Sequence, residues 1–297
     1  DNVDRSVDWL RDQAARGDAP FMLYLGLNAP HPAFTTSRHW LDAIDQQAVD
    51  LPQSDVRDHP ALAYQRFHKN WLHGFSDDVV RDVRRIYFAM IAELDAMVGE
   101  VVRAVDGLGL TDETVILFIS DHGELAMEHR QFYKMSMYEP SVRVPVIAAG
   151  PNVQSGTVVD DLVSLVDIYP TLMDIAGAAH PPALDGHSLY PFLVGEPDPA
   201  RPDWVLSEFH GSTLPTGTFM LRQDAWKYVA YVGYPPQLFN LAEDPDEVED
   251  LAAARPDVVA AMDAKLREIV DYEAVDAQVK AYDRQSFRAW REARRAE

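Results

Sequence analysis

The sequence predicts an α/β fold: a sandwich around a mostly parallel sheet, followed by a smaller part built from a short antiparallel sheet and helices. Three observations predict it. Continuous apolar runs at 21–27, 115–119 and 144–149 each empty into polar or turn residues, the pattern of strands covered on both faces. Stretches with apolar residues three and four apart lie between and after these runs, as amphipathic helices require. Beyond Pro197-Asp198-Pro199 the texture changes to short β-like segments. The boundary is therefore placed between residues 1–197 and 198–297.

Val3, Val7, Leu10 and Ala14 open the chain as an amphipathic helix ending near Gly17. The run Phe21 to Leu27 reads as a buried strand whose tip is Asn28-Ala29-Pro30-His31-Pro32. From about Thr35 to Asp77 the pattern loosens into His, Asp, Pro and aromatic residues, an irregular excursion near a mouth or surface. Asp78 to Val105 is a long helix with Val79, Val83, Ile86, Met90, Leu94, Met97 and Val101 on one face, closed by Gly107-Leu108-Gly109. Val115 to Ile119 runs into Ser120-Asp121-His122-Gly123, repeating the arrangement of an apolar strand with polar chemistry at its end. Val144 to Ala149 gives a further strand, and Leu165 to Ala176 a helix with Tyr169-Pro170 in its first turns. The β-like segments 204–209, 218–221, 226–231 and 237–240 suggest an antiparallel meander. From Pro256 the chain turns helical, with Val259, Met262, Leu266 and Val270 on one face and an Arg-rich, solvated end.

Composition narrows the function. The chain of 297 residues is 47% hydrophobic and 10% aromatic, enough to bury a sizeable core. Its 26 basic and 48 acidic residues give a formal net charge of −22, which disfavours a nucleic-acid partner. The same charge repels any sulfated or phosphorylated polymer at long range, so binding one requires a local basic patch or a cation. No cysteine is present, which excludes disulfides, thiolate metal sites and a Cys nucleophile. No apolar run approaches the roughly 20 residues of a membrane span.

Asp121 and His122 set a hard carboxylate beside an imidazole at the end of a strand, as a metal site requires. The pair is equally readable as a helix cap followed by a packed histidine. His122 and His129 lack the four-residue spacing of helical zinc proteases. Lys134 stands in an otherwise apolar stretch, where its ammonium is either directed at an anion or snorkelling to water. His31, between two prolines, suits a positioned acid or base as well as it suits a satisfied loop histidine.

The segment Ser120-Asp121-His122-Gly123-Glu124-Leu125-Ala126-Met127-Glu128-His129-Arg130-Gln131-Phe132-Tyr133-Lys134-Met135-Ser136-Met137-Tyr138-Glu139 resembles the metal-and-lysine signature of the type I sulfatases, of the alkaline-phosphatase-like superfamily. Further matching blocks occur in the family's order: Leu23 to Asn28 with Pro30-His31-Pro32, Val163 to Thr171, Ser207 to Gly211, and Trp226-Lys227-Tyr228 with Pro236 to Phe239. Within the family the resemblance is to the branch acting on 2-sulfated glucuronate of glycosaminoglycan fragments. It implies an alkaline-phosphatase-like sandwich, a sulfated carbohydrate or aryl sulfate substrate, and a divalent metal, normally Ca2+, on Asp121 and His122. It further implies that Lys134 contacts the sulfate and its leaving oxygen, and that His31 hydrogen-bonds the sulfate. By their place between the metal pair and Lys134, His129 and Arg130 would line the substrate side, Arg130 either pairing a uronate carboxylate or forming a surface salt bridge, and His210, at the end of an expected strand, would reach the pocket from the C-terminal part.

The chain departs from the family pattern in its nucleophile and in the family's N-terminal pair of metal-binding aspartates and further Lys and His, none of which is recognisable here, and many sulfatases carry Asn where this chain has His122. The family nucleophile is a formylglycine made from Cys or Ser in a Cys/Ser-x-Pro/Ser-x-Arg motif, and no residue here begins such a motif. The resemblance therefore implies that the N-terminal strands and their ligands are missing and that the 297 residues alone do not turn over sulfate esters. It also implies an exposed sheet edge, which the missing N-terminal segment or a homo-oligomer would cover. A phosphonate or phosphate ester hydrolase of the same superfamily, or a non-catalytic binding protein, are the competing readings.

Overall fold

The computed structural model describes residues 1–17, 19–53, 59–211 and 213–296. The chain opens with α1 (Asn2–Arg16), started by a capping box in which Asp1 accepts from the Asp4 amide and ended by Gly17 at φ 62°. Val3, Val7 and Leu10 are its buried face, and it packs on the long helix α4. After α1 the chain runs extended through 21–27, with Phe21, Leu23, Leu25 and Leu27 half-buried and Met22, Tyr24 and Gly26 exposed. This corrects the expected buried strand: no described segment pairs with 21–27, and Tyr24 is 84% exposed. A strand exists by virtue of a hydrogen-bonded neighbour, which an apolar run cannot itself supply.

The irregular excursion holds α2 (Arg38–Asp42) and α3 (Pro60–His68); residues 54–58 of it lie outside the described residues. Helix α4 (Asp77–Gly107) is N-capped by Ser76 Oγ and packs against α1 and α2. Its buried face differs from the expected one. Val79 is 44% exposed, whereas Arg84 is buried, because its guanidinium finds Asp50, Glu128 and the Ala126 carbonyl.

Strands β1 (Ile116–Ile119) and β2 (Val146–Ala149) pair antiparallel, Ile116 opposite Ala149 and Ile119 opposite Val146. A mostly parallel sheet is the expectation, and among the described residues this pair does not provide it. The segment joining them, which includes the short α5 (Glu139–Val142), folds back without a long crossover helix, so the second strand returns alongside the first. Two short helices follow, α6 (Ile168–Ile175) and α7 (Tyr190–Leu193). Asp167 ties them together by accepting from the His187 amide and pairing with Arg201 at 2.7 Å.

The meander forms as expected: β3 (Trp204–Phe209), β4 (Thr218–Gln223), β5 (Trp226–Tyr231) and β6 (Gln237–Asn240), each antiparallel to the next. Alternation along the strands builds two cores. On one side Phe219, Leu221, Tyr228 and Leu238 bury against Met262 and Leu266 of α8 (Pro256–Ile269). On the other, Met220, Val229, Tyr231 and Phe239 pack on Leu125, Met137 and Tyr138. The chain ends in α9 (Tyr272–Ala296). The second core positions the functional site, since it seats the meander against the residues that follow β1.

Candidate active site

The residues after β1 do not continue as a helix, so the reading of Asp121 as a helix cap does not hold. Gly123 donates to the Ser141 carbonyl at 2.8 Å, and its α-carbon lies so near Pro140 that a Cβ there would sit 2.0 Å from the Pro140 oxygen. Only glycine permits that approach. The segment then closes a tight loop, with the Leu125 amide on the Tyr133 carbonyl and the Met127 amide on the Gln131 carbonyl. Ala126, Met127, His129, Arg130 and Tyr133 all have positive φ. Five non-glycine residues in that region mark a strained, over-determined loop.

Side chains from three directions hold this loop. Arg84 donates to the Ala126 carbonyl and to Glu128, Gln65 donates to the Met135 carbonyl at 2.6 Å, and Ser141 Oγ donates to the Lys134 carbonyl at 2.9 Å. From inside, the Glu124 carboxylate accepts the Ala126 and Tyr133 amides. Burial pushes the Glu124 carboxyl up, while those amides and the charges of Lys134 and His122 pull it down. Glu124 thus closes the loop between Ala126 and Tyr133, the residue before Lys134. Sequence reasoning did not single it out; its adjacency to Asp121-His122 was the available signal.

The structure brings His31, Asp121 and His122 together, and Lys134 lies within electrostatic reach of Glu124, as His122 does. The rings of His31 and His122 lie 6.4 Å apart. The loop carrying His31 is docked through Phe34, stacked on Tyr133 with centroids 6.4 Å apart, next to Lys134. Each histidine directs Nδ1 at a carbonyl, His31 at Pro32 O (2.7 Å) and His122 at Gly123 O (2.9 Å). A carbonyl only accepts, so Nδ1 carries the proton in both rings and Nε2 of the neutral ring offers a lone pair. His122 Nε2 lies 3.6 Å from Asp121 Oδ2, and the other Asp121 oxygen is held by the His122 amide. Two acceptor atoms side by side with no proton between them suit a shared cation. They fit as part of a ligand set: among the described residues no group of three or more His, Asp or Glu side chains could enclose a metal.

The remaining candidates lie elsewhere. His129 is buried, stacked on Tyr138 with centroids 3.5 Å apart, and burial with the nearby Lys227 charge pushes it down to about 3. It is a neutral wedge inside the loop rather than a residue on the substrate side. Arg130 borders a cleft with Trp71, Phe75 and Asp77. His210 sits 3.2 Å from Glu208 and edge-on to Phe219, and makes no hydrogen bond or ring contact with His31, Asp121, His122 or Lys134. Lys227 is fully buried between Glu139 (3.0 Å) and Glu247 (2.7 Å).

The sulfatase family model matches residues 1–178, and a model of the C-terminal part of N-sulphoglucosamine sulphohydrolase matches residues 127–272. The chain belongs to the sulfatase family. It is 44% identical to arylsulfatase K of Bos taurus over 98% of this chain and 58% of that protein, and 42% identical to arylsulfatase K of Homo sapiens over 98% and 59%. It therefore spans less than two thirds of the length of these relatives. Among solved structures, the phosphonate monoester hydrolase of Agrobacterium radiobacter superposes with a TM-score of 0.77 at 26% identity, covering 90% of this chain and 59% of that one. A 2-O GAG sulfatase superposes with a TM-score of 0.73 at 21% identity, covering 96% and 64%. The mixed α/β architecture is thus the alkaline-phosphatase-like sulfatase fold.

Proposed function

We propose that this chain supplies the C-terminal half of the active site of a sulfatase that hydrolyses sulfate esters of a sugar, with 2-sulfated glucuronate as the substrate of choice. The observation that carries the reading is the meeting of His31, Asp121 and His122, with Lys134 in the loop that follows them, in a sulfatase-family chain 42–44% identical to arylsulfatase K. Sulfate ester cleavage concentrates negative charge on the peripheral and leaving oxygens. The Lys134 ammonium neutralises the leaving oxygen. His31, its Nδ1 proton fixed on Pro32 O, presents Nε2 to the sulfate and donates from it when the ring is protonated. Asp121 and His122 would hold a divalent cation, Ca2+ in this reading, whose charge when bound stabilises the sulfate oxygens. Glu124 holds the loop that carries Lys134 through the Ala126 and Tyr133 amides. The formylglycine nucleophile and the other metal ligands lie outside these residues, which encode no such motif.

A second reading, phosphonate or phosphate ester hydrolysis, is favoured by the superposition on the Agrobacterium enzyme. One experiment separates the two: rates of the natural gene product containing this chain on an aryl sulfate, a 2-sulfated glucuronate and a phenyl phosphonate, with and without Lys134→Ala. The expected result is preference for sulfate and a loss on the order of 10²–10³ in kcat for Lys134→Ala. The 297 residues alone are expected to give no turnover. Phosphonate preference selects the second reading, and an inactive natural product selects a binding role.

A further inference from the structure

Helix α9 leaves the body of the molecule partway along its length. Its first turns are anchored: Tyr272 and Asp276 are buried, and Asp276 accepts the Gly217 amide at 2.7 Å and pairs with Lys280 at 2.8 Å. From Ala281 to Arg295 every residue is exposed. This end carries five arginines against three acidic residues from 281 onward, a net of +2 in a chain of net −22, which leaves −24 on residues 1–280. Such a reversal of sign within one helix is a local field of its own.

The arginines are ordered. Arg284, Arg288, Arg291 and Arg295 follow a four-three-four spacing, which puts them on one stripe of the helix, roughly 16 Å long at 1.5 Å per residue. None of the four makes an ion pair among the described residues, and all are exposed. Phe287 and Trp290 lie on one side of the stripe, Phe287 next to it and Trp290 further round the helix, 59% and 56% exposed, with rings stacked 5.9 Å apart and 23° from parallel. Two exposed stacked aromatics beside four unpaired guanidinium groups present an apolar plate next to a row of forked donors.

We propose that this stripe is a binding site for a linear sulfated polysaccharide. Guanidinium forks match the paired oxygens of a sulfate group, the aromatic plate receives the C–H face of a sugar ring, and a straight row suits a chain ligand. The −24 body repels a polyanion, and the stripe offsets that repulsion while the polymer is held near the molecule. The choice of sulfate over phosphate rests on the sulfatase reading above. A second copy of this chain is the weaker occupant: a stable interface covers about 800 Å² per partner around an apolar centre, whereas this face offers two aromatics and a row of charge.

The test is direct binding of a heparin dodecasaccharide to the chain, with a hyaluronan oligosaccharide of equal length as the carboxylate-only comparison. Substitution of Arg284, Arg288, Arg291 and Arg295 by Gln is expected to weaken heparin binding roughly 10- to 100-fold, as four exposed ion pairs would. Trp290→Ala gives a smaller loss, and hyaluronan binds the unaltered chain at least tenfold more weakly. The control replaces Arg5, Arg11, Arg16 and Arg103 by Gln, an equal change of net charge on other helices, and leaves binding near the original value. Equal losses in the two sets would overturn the proposal, because net charge alone would then be read. So would a fourfold variant that binds heparin normally but sediments as a smaller species, which would make the stripe a self-association surface. In the natural gene product the α9 variant keeps the rate on a small aryl sulfate and loses only affinity for the polymer. If no sulfate is hydrolysed yet heparin binding still depends on the stripe, the catalytic reading fails and this site stands.

Discussion

Lys227→Met tests how the meander supports the active-site segment. The Lys227 ammonium, fully buried, is 3.0 Å from Glu139 Oε1 and 2.7 Å from Glu247 Oε1; Glu247 Oε2 in turn accepts the Glu139 amide at 2.6 Å. Removing the ammonium leaves Glu247, itself fully buried, facing Glu139, whose other oxygen has Arg222 at 3.4 Å as its remaining cation among the described residues. Breaking a buried pair by deleting one partner costs ~3–5 kcal/mol, against ~5–15 kcal/mol for the whole fold. With a urea slope of about 3 kcal/mol/M, the unfolding midpoint falls by roughly 1–1.7 M. Glu247 gives the sign of the pH dependence. Burial raises its carboxyl and the Lys227 charge is the largest force pulling it back. Without that charge the folded-state pKa rises further above the unfolded one, so the variant regains stability as pH falls and loses it as pH climbs through the folded value. The double variant Lys227→Met/Glu247→Gln should recover most of the loss. Urea unfolding of the four proteins at pH 5 and 8 measures the coupling. A single-variant loss under about 1 kcal/mol, or no recovery in the double variant, would refute the account of a tightly coupled buried cluster.

Two further outcomes follow from the loop itself. His129 has a folded-state value near 3 and an unfolded value of 6.5, so between them the unfolded chain takes up a proton that the folded chain refuses; stability should fall with decreasing pH in that window by up to about 1.4 kcal/mol per unit, and His129→Phe, which keeps the stack on Tyr138, should flatten that slope in denaturation curves. Gly123→Ala sets a methyl 2.0 Å from the Pro140 oxygen, and should cost about 3 kcal/mol, seen as a fall in Tm of roughly 6–12 °C; an unchanged Tm would mean that the backbone moves freely there.

Most of the helices and the whole meander were legible in the sequence because their signals are local. The period in α1 and its Gly17 stop, the length of α4 and the short alternating runs of β3 to β6 are each set by residues within the element. The apolar run 21–27 and the direction of the β1–β2 pair were not legible, since both depend on which segment lies alongside, and a buried run looks the same in either direction. At the site, Asp121, His122, Lys134 and His31 could be named because a block of twenty residues carries the family pattern. The inward turn of His129 could not, because it rests on backbone dihedrals that a side-chain pattern does not encode.

Those dihedrals connect the energetics to the chemistry. Five left-handed non-glycine residues between Ala126 and Tyr133 cost on the order of 1 kcal/mol each relative to relaxed backbone. The fold offsets this with buried partners, Arg84 on the Ala126 carbonyl, Gln65 on the Met135 carbonyl and His129 stacked on Tyr138, and with the half-buried Glu124 across the loop. Tyr138 and Glu139 then enter the meander's core and ion cluster. Lys134 therefore sits on a short span whose two ends are fixed to different parts of the molecule, one to α4 and one to β5. The backbone under that lysine is therefore ordered before an anion arrives, and the ordering left for binding is that of the side chain, about 1.5–2 kcal/mol, rather than that of the loop as well.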